Sequence, residues 1–267
     1  MKRILIILFV FVSICANSQH HMMFSLTTPI TTPNHLVSLW ELNETTGTTA
    51  TDAHGSNDGT YTNSPTLAQS TVTNLGTSVL FNGTNQYVDC GTDTSLDFGT
   101  GDFTLACWFK TSGQITTETV LCGNGAAFVG GKGYYFVTNA SNGVIYFNID
   151  DNIINFDDDI TEVSVYSNSE LDDSQWHFVV GVKDGNNLRL YIDGVEQTNS
   201  PQDVTGFGSL DSAHPFLIGA LYREDTDVVD LEFPGYIDQP QAIGKALTQS
   251  EIDYMYDDGN GRAYPNI

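Results

Sequence analysis

The sequence predicts an all-β protein, a two-sheet antiparallel jelly-roll sandwich with a short C-terminal helix, and three observations carry that expectation. From Leu36 onward, apolar or alternating runs of about four to eight residues are each closed by Gly, Asn or Asp, which is strand patterning with turn punctuation. The 267 residues include 25 Gly, 15 Phe and 12 Tyr but only 4 Met and 9 Lys plus Arg, a composition poor in helix formers and rich in strand and turn residues. Finally, Lys183-Asp-Gly-Asn186 and Asp193-Gly194 place glycine where a tight turn needs positive φ, so Trp176 to Ile192 reads as a hairpin.

Taken in order, strands are expected over Val37–Leu42, Thr77–Phe81, Tyr87–Asp89, Phe103–Lys110, Glu118–Gly123, Tyr134–Thr138, Val144–Ile149, Trp176–Lys183, Asn187–Ile192, Pro215–Leu221 and Gly235–Ile243. That makes about eleven, enough for two packed sheets of about five to seven strands each. The single helix is expected from Thr248 to Tyr256, because Thr248 and Glu251 have capping-box spacing and Leu247 precedes them as the staple residue. No linker or internal repeat interrupts the span, so residues 36–258 read as one domain, followed by a tail at 259–267.

Residues 1–18 read as a secretory signal peptide: Lys2 and Arg3, an apolar run from Ile4 to Cys15, and small residues before a cleavage expected after Ser18. The run is shorter than the ~20 residues a spanning helix needs, so no membrane insertion is expected after cleavage. The mature chain is expected to be secreted or at the cell surface, beginning with a polar arm at residues 19–35. A lipid anchor on Cys15 is the minor alternative, since Ile14 stands where lipoprotein processing favours a small residue. The net charge of −24 at pH 7 repels polyanions and excludes nucleic acid as a partner. Three cysteines remain after cleavage, Cys90, Cys107 and Cys122. Cys107 and Cys122 flank a strand-loop-strand unit and could bridge, yet Cys107 lies in an apolar stretch and reads equally as a buried small hydrophobe.

The order of motifs resembles the laminin G-like domains of the concanavalin A-like lectin/glucanase superfamily. The residues are Leu39-Trp40-Glu-Leu-Asn, Asp52-Ala-His-Gly55-Ser-Asn57-Asp-Gly59, Leu80-Phe-Asn-Gly83, Asp102-Phe-Thr-Leu-Ala-Cys-Trp108, Trp176-His-Phe-Val-Val180, Tyr191-Ile-Asp-Gly194, Gly235-Tyr-Ile-Asp238 and Ala246-Leu-Thr-Gln-Ser-Glu251. The resemblance spans residues 36–258 and implies a jelly-roll sandwich, frequent calcium binding, and glycan or protein binding more often than catalysis. It also implies a calcium cage in which Asp52 and Asn57 supply oxygens and Asp238 completes the set. Such a loop suits a hard cation, which takes oxygen ligands; the competing reading is an Asx-turn loop satisfying its own backbone.

A sugar-binding surface needs aromatic plates and hydroxyl-bonding groups. Tyr166 and Tyr222, beside polar loop residues, are the candidates, whereas Trp40, Trp108 and Trp176 read as core plugs. Glucanases of the resembled fold carry Glu-x-Asp-x-(x)-Glu on one strand. In the nearest stretch, Val228-Val-Asp230-Leu-Glu232, the nucleophile position is Val228, which has no oxygen to attack with. The expectation is therefore a secreted, calcium-stabilised, non-catalytic module recognising glycan or a cell-surface partner. The alternatives are a glycan-active hydrolase or lyase using the acidic stretches Asp150–Asp159 or Asp225–Glu232, and a passive adhesion protein.

Overall fold

The computed structural model describes residues 35–127, 131–140, 143–152 and 162–262. The signal peptide, nearly all of the polar arm, the Cys15 anchor and the run Asp157 to Asp159 lie outside them. Two sheets form the sandwich. The first runs β14 (Val195–Glu196), β13 (Asn187–Ile192), β12 (His177–Asp184), β7 (Phe103–Thr111), β19 (Pro234–Ile243), β5 (Ser78–Asn82) and β4 (Thr66–Gln69). On it, β1 (Leu36–Leu39) pairs with β19, and β15 (Gln202–Asp203) with β13. The second runs β11 (Glu162–Tyr166), β10 (Ile145–Asp150), β9 (Gly133–Thr138), β8 (Thr119–Ala127), β16 (Phe216–Ile218), β6 (Tyr87–Asp89), β3 (Gly59–Thr62) and β2 (Thr49–Ala50). There β17 (Leu221–Arg223) pairs with β8 and with β18 (Val228–Asp230).

Among the described residues the sheets hold nine and ten strands, more than the sequence predicts. The additional ones, such as β2, β14, β15 and β18, are two or three residues long and carry no apolar run. They exist because backbone groups at a sheet's edge find a ladder partner, a long-range event with no local signature. The predicted hairpin forms β12 and β13, with Val179 opposite Ile192 and Asp184 opposite Asn187. Buried Lys183 closes its turn end, donating to the carbonyls of Thr100 at 2.8 Å and Gly101 at 3.2 Å.

β7 shows why a central strand reads as unbroken apolar sequence. Phe103, Leu105, Cys107 and Phe109 face the space between the sheets, while Ala106 and Trp108 face outward into a second cluster. The cover on that outer side includes α1 (Gln249–Tyr256), whose Ile252 and Met255 are fully buried, each such burial being worth roughly 1.5–3 kcal/mol. Its capping box forms as expected: the Thr248 hydroxyl accepts from the Glu251 N–H at 3.4 Å, and the Glu251 carboxylate from the Thr248 N–H at 2.9 Å. Beyond it the chain stays tied down, with the Asn260 carbonyl accepting from the Asn74 N–H and the Met255 carbonyl from the Arg262 N–H.

Trp40 and Trp108 are core plugs; Trp40 stacks on Phe216 at 4.9 Å and donates its indole N–H to the Asn57 carbonyl at 2.7 Å. Trp176 departs from that expectation. It precedes β12 and is only half-buried, beside Tyr236 and under the Lys110 ammonium. Cys90, Cys107 and Cys122 are buried free thiols, with Cys107 and Cys122 on strands of opposite sheets and their sulfurs in contact. Burial pushes the Cys90 and Cys107 thiols well above their ordinary range, so they stay protonated.

Candidate functional site

The Asp52 loop is a backbone cap. Asp52 Oδ1 accepts N–H bonds from Leu39 at 3.0 Å, His54 at 3.1 Å and Gly55 at 2.8 Å, and Oδ2 accepts from Asn57 at 3.0 Å. Burial alone would raise this carboxyl group, but the four donors outweigh it and hold it below the usual carboxylate range. Asn57 donates its side-chain amide to the hydroxyls of Ser38 at 2.7 Å and Ser95 at 3.0 Å. A Cβ at Gly55 would lie 2.4 Å from the Val37 carbonyl oxygen, so the loop closes only with glycine there.

Asp238 is the opposite case. It is fully buried on β19, where the ladder slips between Asp238 and Gln241 and Gln239 takes φ of 49°. Its Oδ2 accepts from the Thr71 hydroxyl at 2.5 Å, while its Oδ1 and the neighbouring Gln239 Oε1 are buried with no partner. Burial pushes its pKa up to about 8 despite the Thr71 bond, with a further upward push from the Glu41 charge. The structure thus joins Asp52 to Asn57 and gives Asp238 separate hydrogen-bond partners. Among the described residues, no three His, Cys, Asp or Glu side chains gather as a metal site. Four backbone donors leave Asp52 little capacity as a calcium ligand, whereas the partnerless oxygens at Asp238 and Gln239 have the chemistry a hard cation satisfies.

The outer face of the second sheet at β9, β10 and β11 has a different character. Ile145, Phe147 and Ile149 point into the core, which turns Tyr146, Asn148 and Asp150 outward. Their neighbours on β11 are Tyr166, Ser164 and Glu162, and on β9 Val137, Tyr135 and Gly133. The face is therefore laddered as an aromatic rung, a polar rung and an acidic rung, successive rungs being about 6.7 Å apart. Tyr166 is 45% exposed, and its ring lies 5.4 Å from that of Tyr146. One rung along, Asn148 Nδ2 donates to Oε1 of Glu162 on the next rung at 2.6 Å, while Asn148 Oδ1 is buried with no partner. Crowding of the Glu162 carboxyl group raises its pKa to about 7, with the negative charges of Asp150 and Glu118 adding to the burial.

Just past Tyr166 a rim cavity of about 370 Å³ is lined by Ser167, Asn168, Glu170, Asp173, His177 and Asp193 among others. His177 sits between Asp193 at 2.8 Å and Asp173 at 3.2 Å, and the two carboxylates outweigh burial and raise its pKa. Much of this lining is already paired internally: Asn168 Oδ1 accepts from the Thr198 N–H and hydroxyl, and the Gln197 amide donates to the Val195 carbonyl. The arrangement holds the rim in shape more than it offers bonds to a ligand.

Tyr222 is not brought near Tyr166. It lies on β17, beside β8, with its ring stacked on His214 at 4.1 Å and its hydroxyl bonded to Asp227. Val228 is 48% exposed on β18, and Asp230 is held by Arg223 at 3.1 Å, so that acidic stretch forms an ion-paired hairpin. Sequence reasoning missed Glu162 and Asn148. The polar alternation on β10 was a usable signal, but β11 is a five-residue edge strand whose register on β10 no local pattern sets.

Comparison with known proteins gives one family. A laminin G-like family model described as "Concanavalin A-like lectin/glucanases superfamily" matches residues 82–253, a span that includes Asp238 and the β9–β11 face but not the Asp52 loop. A search of the curated proteins finds no match by sequence. Among solved structures, the binding domain of Paraclostridial Mosquitocidal Protein 1 superposes at TM-score 0.60 with 13% identity, covering 85% of this chain and 52% of that one. The botulinum neurotoxin serotype D ligand binding domain in complex with N-acetylneuraminic acid gives 0.62 and 13%, covering 84% and 50%. Trypanosoma rangeli sialidase in complex with sialic acid gives 0.60 and 16%, covering 85% and 34%. This chain spans about half of each toxin chain and a third of the sialidase, and at these identities the likeness is one of fold. With more than half its length matched and two antiparallel sheets packed face to face, the chain belongs to the laminin G-like family of the concanavalin A-like lectin/glucanases superfamily.

Proposed function

We propose that this protein is a secreted, non-catalytic module that recognises glycan, free or on a cell-surface partner, through the outer face of β9 to β11. The exposed Tyr166 beside Tyr146 carries the reading, because a half-open aromatic pair flanked by amide, hydroxyl and carboxylate groups is what a pyranose needs for stacking and hydroxyl bonding. The sialic-acid complexes among the fold neighbours support carbohydrate as the ligand class. Calcium belongs to the proposal at Asp238, whose buried Oδ1 and the adjacent Gln239 Oε1 have no other partner. A glycan array run with and without calcium is the test. Binding to a defined set of sugars is expected, with Tyr166→Ala weakening it tenfold or more, about 1.4 kcal/mol. An unchanged array after that substitution would remove the face from the reading, and no bound sugar at all would favour a passive adhesion role.

A second reading, glycan hydrolysis, has one observation behind it. Asp150 and Glu162 stand directly opposite each other on adjacent strands, which brings two carboxyl groups to one rung, the arrangement a retaining pair draws on. Release of reducing ends from a polysaccharide panel, abolished by Asp150→Asn, would establish it.

A further inference from the structure

Two of the fold neighbours are complexes with sialic acid, an anionic sugar, but the charges of this chain point the other way. A carboxylate-bearing ligand needs a cation, preferably the fork of an arginine. Every arginine among the described residues already holds a carboxylate: Arg189 pairs with Glu196 at 2.7 Å, Arg223 with Asp225 at 2.8 Å and Asp230 at 3.1 Å, and Arg262 with Asp257 at 2.6 Å. Of the four lysines among the described residues, Lys110 lies over the Trp176 and Tyr236 rings, Lys183 donates to backbone carbonyls, Lys245 pairs with Glu251 at 2.7 Å, and Lys132, just ahead of β9, directs its charge at Asp97. None of these groups belongs to the β9–β11 ladder. That ladder presents Glu162 and Asp150 as acceptors, and it buries the Asn148 Oδ1 acceptor at 6% exposure with nothing donating to it.

A buried acceptor without a donor has lost its hydrogen bond to water and gained none in return, so the face is shaped for a ligand that brings hydrogens and positive charge. Resting on the glycan reading above, we infer that the sugar taken here carries a free, protonated amine, a hexosamine unit, seated against Glu162 and Asn148 while a neighbouring ring stacks on Tyr146 and Tyr166. An ammonium group fits on three counts. It offers three donors to the Asn148 and Glu162 oxygens, it offsets the repulsion between Glu162, Asp150 and Glu118, and it is drawn in by a net charge of −24. The distance from Tyr166 to Glu162, four residues along one strand, is about 13 Å, so a short oligosaccharide covers both.

The test is calorimetry of the full chain with three probes at 150 mM salt: a glucosamine oligomer, its fully N-acetylated counterpart of equal length, and 3′-sialyllactose. The glucosamine oligomer is expected to bind at least tenfold more tightly than the acetylated one, and sialyllactose to be the weakest. Glu162→Gln, which preserves shape and removes the charge, is expected to bring the two oligomers within about twofold, whereas Tyr166→Ala weakens both alike. Equal or tighter binding of the acetylated or sialylated probe overturns the amine inference and leaves the glycan reading standing. A preference for the amine that survives Glu162→Gln also overturns it, by assigning the attraction to overall charge. If no probe binds and an array is blank as well, it is the glycan reading that fails.

Discussion

The outer faces of the two sheets start from the same pleated backbone and end with opposite uses. On the first, Trp108, Phe178 and Val180 turn outward and are covered by Ile252 and Met255 of α1. On the second, the equivalent outward positions of β10 and β11 are Tyr146, Asn148, Asp150, Glu162, Ser164 and Tyr166, and Tyr166 is left open. Each face holds one carboxyl group raised by burial, Asp238 to about 8 beside covered Trp108 and Glu162 to about 7 on the uncovered ladder. The covered face stores stability. The uncovered one offers an aromatic step and one unused acceptor, Asn148 Oδ1, the features that bind a ligand.

The largest effect that separates the faces is expected at Trp108. Truncation by Trp108→Ala removes a side chain that stacks on Phe178 at 5.1 Å and on Tyr256 at 5.9 Å, and is expected to cost about 3–5 kcal/mol in urea unfolding. Tyr166→Ala, at 45% exposure, is expected to change unfolding by less than about 0.5 kcal/mol. Comparable losses at both positions would mean that the open face is as structural as the covered one.

A smaller effect, with a definite sign in pH, is expected at Asp238. Its folded pKa of about 8 lies above the ordinary aspartate value of 3.8, so between these values the folded chain keeps a proton that the unfolded chain has lost. Stability from this group is therefore full at low pH and is lost as pH rises toward 8. Asp238→Asn removes the ionisation while keeping an oxygen for the Thr71 hydroxyl. In chelator at pH 8 it is expected to gain about 1–3 kcal/mol, read as a rise in Tm, and at pH 4 to gain little. Calcium at Asp238 reverses the comparison: with the ion present the wild-type chain melts higher and the variant no longer responds. A variant that melts lower than wild type in chelator at pH 8 would show that the orphaned oxygens carry no cost.

How much of this was legible in the sequence differs between the faces for a physical reason. Features set within a few residues could be read directly: the β12–β13 hairpin from its Asp-Gly turn, the capping box from Thr248 and Glu251, and the strand β7 from its apolar run. The exposure of Tyr166 was also legible, because an aromatic beside polar loop residues is a local pattern. The Glu162–Asp150 pair and the orphaned Asn148 oxygen depend on the register of a five-residue edge strand and could not be read that way. Asp52 marks another limit. A carboxylate in a Gly-rich loop can cap four N–H groups or hold an ion, and the sequence is the same for both. The matched family residues begin at 82, past that loop.

The smallest of these effects tests whether the helical lid is fastened by its cap or by its packing. Thr248→Ala removes the hydroxyl that accepts from the Glu251 N–H but leaves Ile252 and Met255 in the apolar cluster, and Lys245 still pairs with Glu251 at 2.7 Å. The expected loss is about 1 kcal/mol. Since the lid covers the first sheet only, ligand affinity at Tyr166 is expected to stay within twofold of wild type, measured on the same probes used above. A loss of 3 kcal/mol or more would mean that the cap governs docking of the whole helix, so that the covered face is held by one hydrogen-bonded turn more than by its buried side chains. A fall in affinity would show that the two faces are coupled through β7 and β12 and are not the independent surfaces their chemistry suggests.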